Sequence, residues 1–162
     1  MADPSSKKQS PRKSDSGRSL RARALAALAR REYSRRELET KLKAIAEDPT
    51  VIPELLDDFE RRGWLSEARV VEQVMATRRR RFGERRITQE LRQKGISDAA
   101  IEDARDKLKV NEFESARAVW QRKFKTPPSN ANERAKQMRF LQGRGFGLDV
   151  IRQVVSGDDT DC

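Results

Sequence analysis

Between Arg78 and Arg86 the chain sets six arginines and one glutamate around Phe82 and Gly83. A guanidinium donates through a planar fork that matches phosphate and carboxylate oxygens, and such charge-assisted bonds are about twice as strong as neutral ones. The chemistry offered by Arg78, Arg79, Arg80, Arg81, Arg85 and Arg86 is therefore anion binding, with at least two of the six facing outward together. A second cluster, Arg30, Arg31, Arg35 and Arg36, falls at the first turn between helices and offers the same chemistry. For both clusters the alternative is a solvated helix end whose cations favour the negative pole of the helix dipole.

Bond-making chemistry is poorly supplied. The chain has no histidine, which removes the commonest general base, the commonest zinc ligand and every Ser-His or Cys-His nucleophile pair. Carboxylates remain, so a Mg²⁺-dependent nuclease is not excluded on that ground alone. The acids, however, are scattered among arginines at helical spacing, as on solvated helix faces, and no glycine loop of the Walker type is present. No catalytic residue, metal or cofactor is expected. Trp64 and Trp120 have the chemistry to stack on bases, but both are expected in the core, Trp64 at the seam between two units, and Phe140 and Phe146 are read the same way.

Lys and Arg number 36 against 26 Asp and Glu, a formal charge of +10, which favours nucleic acid or an acidic protein surface as partner. Cys162, the only cysteine, is the last residue, so no internal disulfide forms and a reducing compartment fits. No run of apolar residues is long enough for a membrane span or a secretory signal. A cytoplasmic protein is expected.

Positioning of the arginines falls to helices. Residues 1–18, rich in Ser, Lys and Pro, lack apolar periodicity and are expected to form a disordered basic tail, whose Lys7, Lys8, Arg12 and Lys13 either add non-specific DNA affinity or merely solubilise. Residues 158–162 form a short acidic end. Between them apolar residues recur every three to four positions, and Gly and Pro appear only where helices would end. Ser34-Arg35-Arg36-Glu37 reads as a capping box. The helix that follows carries Leu38, Leu42 and Ile45 on one face and stops before Pro49. Pro53 then opens a helix bearing Leu56 and Phe59, closed by Gly63. The Leu25 and Leu28 helix before them makes three.

The unit returns twice. Ala22-Arg23-Ala24-Leu25, Ala68-Arg69-Val70-Val71 and Ala116-Arg117-Ala118-Val119 recur near the starts of amphipathic segments, and Glu37-Leu38 is echoed by Glu90-Leu91. Leu91, Gly95, Ile96 and Ile101 match Leu141, Gly145, Phe146 and Ile151 in spacing. The expected fold is all-α: three tandem three-helix repeats over 19–64, 65–110 and 111–157, nine helices in an elongated, curved body, each unit too thin to bury its apolar face alone.

The order Ser34-x-x-Glu37-Leu38-x-x-Lys41-Leu42, then Gly63-Trp64-Leu65-Ser66, then Gly83 to Gly95-Ile96 through Glu90-Leu91, and finally Phe140-Leu141-x-x-Arg144-Gly145-Phe146, resembles the RecX family from about Ser19 to Val155. The resemblance implies a partner of the RecA recombinase that lodges along the groove of the RecA–single-stranded DNA filament. Such proteins restrain ATP hydrolysis, strand exchange and the filament's stimulation of repressor self-cleavage. It implies a regulator without catalytic activity, and a monomer with at most weak affinity of its own for single- or double-stranded DNA is expected. Two features depart from the family pattern: Glu67 and Val70 stand where an Asp and an aromatic are usual, and Gly143 and Gly147 add glycine that would loosen the last turn. A helix-turn-helix DNA-binding protein is the rival reading, with Ser34 to Ile45 as recognition helix, although Arg35 and Arg36 suit phosphates better than base edges.

Overall fold

The computed structural model describes the backbone of residues 13–157 and the side chains of residues 19–157. Nine α-helices and no strand lie among them: α1 (Lys13–Arg30), α2 (Arg35–Lys43), α3 (Ile52–Arg61), α4 (Glu67–Arg78), α5 (Glu84–Gln93), α6 (Asp98–Val110), α7 (Glu112–Lys123), α8 (Ala131–Gly143) and α9 (Leu148–Ser156). Residues 1–12 of the expected tail and the acidic end at 158–162 lie outside the described residues. Helix α1 starts at Lys13, inside the segment that composition assigned to the tail.

The first compact unit ends at Ser66. Its core is Leu20, Ala24 and Ala27 of α1, Leu38 and Leu42 of α2, Ile52, Leu56 and Phe59 of α3, and Leu65. Small alanines on α1 let α2 and α3 approach, and Leu25 and Leu28 flank the seam rather than fill it. The capping box is as expected: Glu37 N–H donates to Ser34 Oγ at 3.1 Å and Ser34 N–H to Glu37 Oε2 at 2.9 Å, so two orphan amides of α2 are satisfied reciprocally. Ile45 departs from expectation. Helix α2 ends at Lys43, two residues short of it, and Ile45 is 40% exposed. A 3₁₀ turn at Pro49–Val51, capped by Asp48, then leads into α3.

The second compact unit, Glu67 onward, holds two further triplets with separate cores. One gathers Val70, Val71, Val74, Ile87, Leu91, Ile96, Ile101, Ala104 and Leu108; the other Ala116, Val119, Trp120, Leu141, Phe146, Ile151, Val154 and Val155. Of the three Ala-Arg echoes the last is shifted, because Ala118 is exposed and Ala116 takes the buried place.

One C-terminal device serves all three triplets. Arg62-Gly63-Trp64, Lys94-Gly95-Ile96 and Arg144-Gly145-Phe146 each set a cation at the helix C-cap, a glycine with φ of +71°, +76° or +88°, and an apolar residue next. The amide of that apolar residue donates back five positions, Trp64 to Phe59, Ile96 to Leu91 and Phe146 to Leu141, which closes a Schellman motif. Trp64 is accordingly a correction. It is 41% exposed, not core, with its ring centroid 5.7 Å from that of Phe59 and the Arg21 and Arg62 guanidinium groups beside it. Ile96 and Phe146, after their glycines, are buried; Trp64 follows the third helix of its triplet rather than the second, and there Leu65 takes the core position.

A second recurring device was hidden from the sequence. Glu67, first residue of α4, accepts from Ser97 N–H at 2.6 Å and Ser97 Oγ at 3.0 Å, at the N-terminus of α6. Glu112, first residue of α7, accepts from Gly147 N–H at 3.2 Å, at the N-terminus of α9. In both triplets a glutamate from the first helix caps the third, where the positive dipole end favours an anion.

The two triplets of the second unit are joined backbone to backbone. Gly83 N–H donates to Arg144 O at 2.8 Å and Arg85 N–H to Gly145 O at 3.1 Å, while Arg86 Nη1 donates to Gly143 O at 3.2 Å. A Cβ on Gly83 would stand 2.6 Å from the carbonyl group of Gly145 and from Phe146 Cα, so only glycine permits this approach. The glycine-rich turn of the last repeat is thereby pinned on both sides, by Arg86 and Glu112, rather than loosened.

Candidate partner-binding site

The arginine run is divided by the fold. Arg78 ends α4, Arg79 to Arg81 form the turn, and Arg85 and Arg86 open α5. Three of these guanidinium groups lie differently from the rest. Arg78 is ion-paired with Glu90 at 2.9 Å, binding α4 to α5. Arg86 caps the C-terminal carbonyl of Gly143 and lies 4.2 Å from the centroid of Phe82. Arg79 is half-buried. Arg80, Arg81 and Arg85 are exposed and, among the described residues, face no carboxylate.

Arg85 is the most informative of them. Cations in the first turn of a helix oppose its dipole, at a cost of about 0.3–1 kcal/mol. Arg86 recovers that cost through Gly143 and Phe82, whereas the Arg85 side chain makes no such contact. The dipole account of the run thus covers Arg78 to Arg81 at the end of α4 and fails at Arg85.

The first cluster divides in the same way. Arg35 is held by Asp57 at 2.7 Å and Glu60 at 3.1 Å and also donates to Pro53 O, tying α2 to α3. Arg31 stacks 3.6 Å from the Tyr33 centroid and reaches Glu37 at 3.5 Å. Arg30 and Arg36 remain exposed without a carboxylate partner among the described residues. Arg35, at the start of the helix that the helix-turn-helix reading would use for recognition, is thus already occupied within the unit.

Further cations join the run that sequence density did not mark. Arg122 and Lys123 end α7 and Arg144 follows α8. Arg122 donates to the main-chain carbonyl of Arg80. With Arg81, Val119 and Phe140 they line an open cleft of about 350 Å³. Arg144 lies 5.1 Å and Lys123 5.5 Å from the Phe140 centroid, and Arg144 lies 5.5 Å from that of Phe82. The available signal was the Arg144-Gly145-Phe146 cap itself, whose cation has counterparts at Arg62 and Lys94. Trp120 and Phe146 are buried as expected; the indole N–H of Trp120 donates to Gln137 Oε1 at 2.8 Å.

Among the described residues no group of acids and cysteines could hold a metal ion, and no helix is long and apolar enough to cross a membrane. Residues 66–104 match the model of the second three-helix domain of RecX, and residues 111–155 that of the third. The regulatory protein RecX of Leptothrix cholodnii is 51% identical over 137 residues, 85% of this chain and 87% of that protein. The chain belongs to the RecX family. The RecX of Chromobacterium violaceum is 40% identical over 145 residues, covering 90% of this chain and 94% of its own. The crystal structure of RecX from Lactobacillus salivarius superposes with a TM-score of 0.75 at 22% identity, over 90% of this chain and 98% of that one, a likeness of fold. The relatives matched are named regulatory proteins, and the tandem three-helix architecture is the one expected from the repeats.

Proposed function

We propose that this RecX-family chain binds the RecA recombinase filament on single-stranded DNA and restrains its ATP hydrolysis, strand exchange and stimulation of repressor self-cleavage. The observation that carries this reading is the likeness to proteins named regulatory protein RecX over 85% of the chain. The surface supports it. Arg30 and Arg36 in the first unit and Arg80, Arg81 and Arg85 in the second are exposed cations without acid partners among the described residues. Repeated helical units, over 19–64, 65–110 and 111–157, suit a helical polymer, because weak contacts to successive protomers sum through effective concentration. The chain acts by binding, as a cytoplasmic monomer without metal or cofactor.

Co-sedimentation with RecA filaments, with bare single-stranded DNA as the comparison, tests it. A filament partner pellets with the RecA–DNA complex at salt that releases it from bare DNA. Equal pelleting with both identifies a generic polycation and ends the reading.

A further inference from the structure

We propose that the cleft bounded by the α4–α5 turn and the ends of α7 and α8 holds the phosphodiester backbone of a single-stranded nucleic acid. The inference goes beyond the recombinase reading and is tested without recombinase. Arg81, Arg122, Lys123 and Arg144 line the cleft, and among the described residues none of the four is paired with a carboxylate. Some cations of the same unit are matched, Arg78 with Glu90, Arg105 with Glu84 and Glu102, Lys107 with Asp103, while others unmatched among the described residues, such as Arg85, Lys109 and Arg152, lie outside the cleft. Like charges gathered without acids repel, so something must hold them together.

Three helix C-termini do so. Helix α4 ends at Arg78, α7 at Lys123 and α8 at Gly143, and each brings a partial negative pole to the cleft. Main-chain carbonyls and ring faces complete the support, with Arg122 on Arg80 O and with Lys123 and Arg144 against Phe140. These partners steady the cations without neutralising them, which leaves net positive charge directed at whatever enters.

Size and lining select the ligand. The cleft, about 350 Å³, lies at the lower end of the range for small-molecule sites, roughly 300–1,000 Å³, and is far larger than one carboxylate needs. Its apolar contribution is Val119 and the half-buried ring of Phe140, set edge-on to Phe124 at 5.3 Å. Cations around an aromatic suit a strand whose phosphates alternate with flat bases, the pattern of single-strand binders. An acidic polypeptide would use the cations and leave the ring idle.

The test is fluorescence anisotropy with a labelled oligothymidylate and the full chain. Arg81→Gln with Lys123→Gln, both on exposed side chains, is set against a charge-matched double variant outside the cleft, Lys109→Gln with Arg152→Gln. Losing two phosphate contacts is expected to weaken binding at least about tenfold and to reduce the slope of log K against log salt by about 1.4. The control pair should do markedly less. Photo-crosslinking of a 4-thiothymidine strand to the unaltered chain, mapped by peptide, should mark the end of α7 or of α8. Equal losses in the two double variants, crosslinks confined to other helices, or no binding by the parent chain would overturn the proposal. So would oligoglutamate displacing the strand at matched charge, which would assign the cleft to an acidic protein.

Discussion

Gly83→Ala is the most demanding perturbation of the joint between the two triplets of the second unit. The backbone at Gly83 has φ −86° and ψ 177°, which alanine adopts freely, so any cost comes from packing alone. The new Cβ would stand 2.6 Å from Gly145 C, Gly145 O and Phe146 Cα, whereas carbon contacts settle near 3.5–4.0 Å, so the α8–α9 turn must withdraw by about 1 Å. Backbone atoms have no rotamer to give. Withdrawal stretches Gly83 N–H···O=C Arg144, now 2.8 Å, and Arg85 N–H···O=C Gly145, now 3.1 Å. Overpacking costs about 1–3 kcal/mol and each backbone bond contributes about 0.5–1.5 kcal/mol. The stiffer unfolded chain returns about 0.4–1 kcal/mol, leaving a net loss of about 1–5 kcal/mol, according to how far the two bonds are stretched. Gly143→Ala is the companion. It ends α8 with nothing within 4 Å of an added Cβ, and should gain about 0.5–1 kcal/mol from helix preference. Urea melts followed by circular dichroism read both. A Gly83→Ala variant within about 0.5 kcal/mol of the parent, the scatter of ordinary surface changes, would refute the close-approach argument.

Trp120→Phe should cost about 1–3 kcal/mol in the same melts, because it leaves the buried Gln137 Oε1 without its 2.8 Å donor. Asp58 is held below the ordinary carboxylate value of 3.8 by the Arg21 hydrogen bond and then by Arg62; its contribution is complete above that value and is lost as pH falls through the lowered one. The stability gap between Asp58→Asn and the parent should therefore close only in strong acid, and a gap independent of pH would show that the ion pairs are idle. Arg80→Ala with Arg85→Ala should weaken filament binding and flatten its salt dependence without lowering the melting temperature. Arg78→Ala should instead cost stability, modestly, by releasing the half-exposed pair with Glu90.

The helices were legible because their signals are local. Ser34 to Glu37 sits within one turn, and Leu91, Gly95 and Ile96 lie within one Schellman motif, so spacing alone states the geometry. Longer-range facts were not. Whether an arginine is free depends on an acid elsewhere in the chain: Arg35 finds Asp57 and Glu60, and Arg78 finds Glu90. Trp64 looked like core because tryptophan usually is, and Ile96 and Phe146, which follow the same left-handed glycine, are indeed buried; Trp64 differs because its glycine ends the third helix of a triplet rather than the second. Ile45 continued the heptad spacing of Leu38 and Leu42 beyond the point where α2 stops. The cleft was hidden because Arg81 meets Arg122, Lys123 and Arg144 only after two triplets dock, and no run of sequence brings those four together.

RecA-catalysed ATP hydrolysis on single-stranded DNA, followed as this protein is titrated in, tests the regulatory account most directly. The rate should fall as protein approaches the amount of RecA, and the Arg80→Ala, Arg85→Ala variant should need more protein for the same fall. Unchanged hydrolysis at saturating protein would contradict the account.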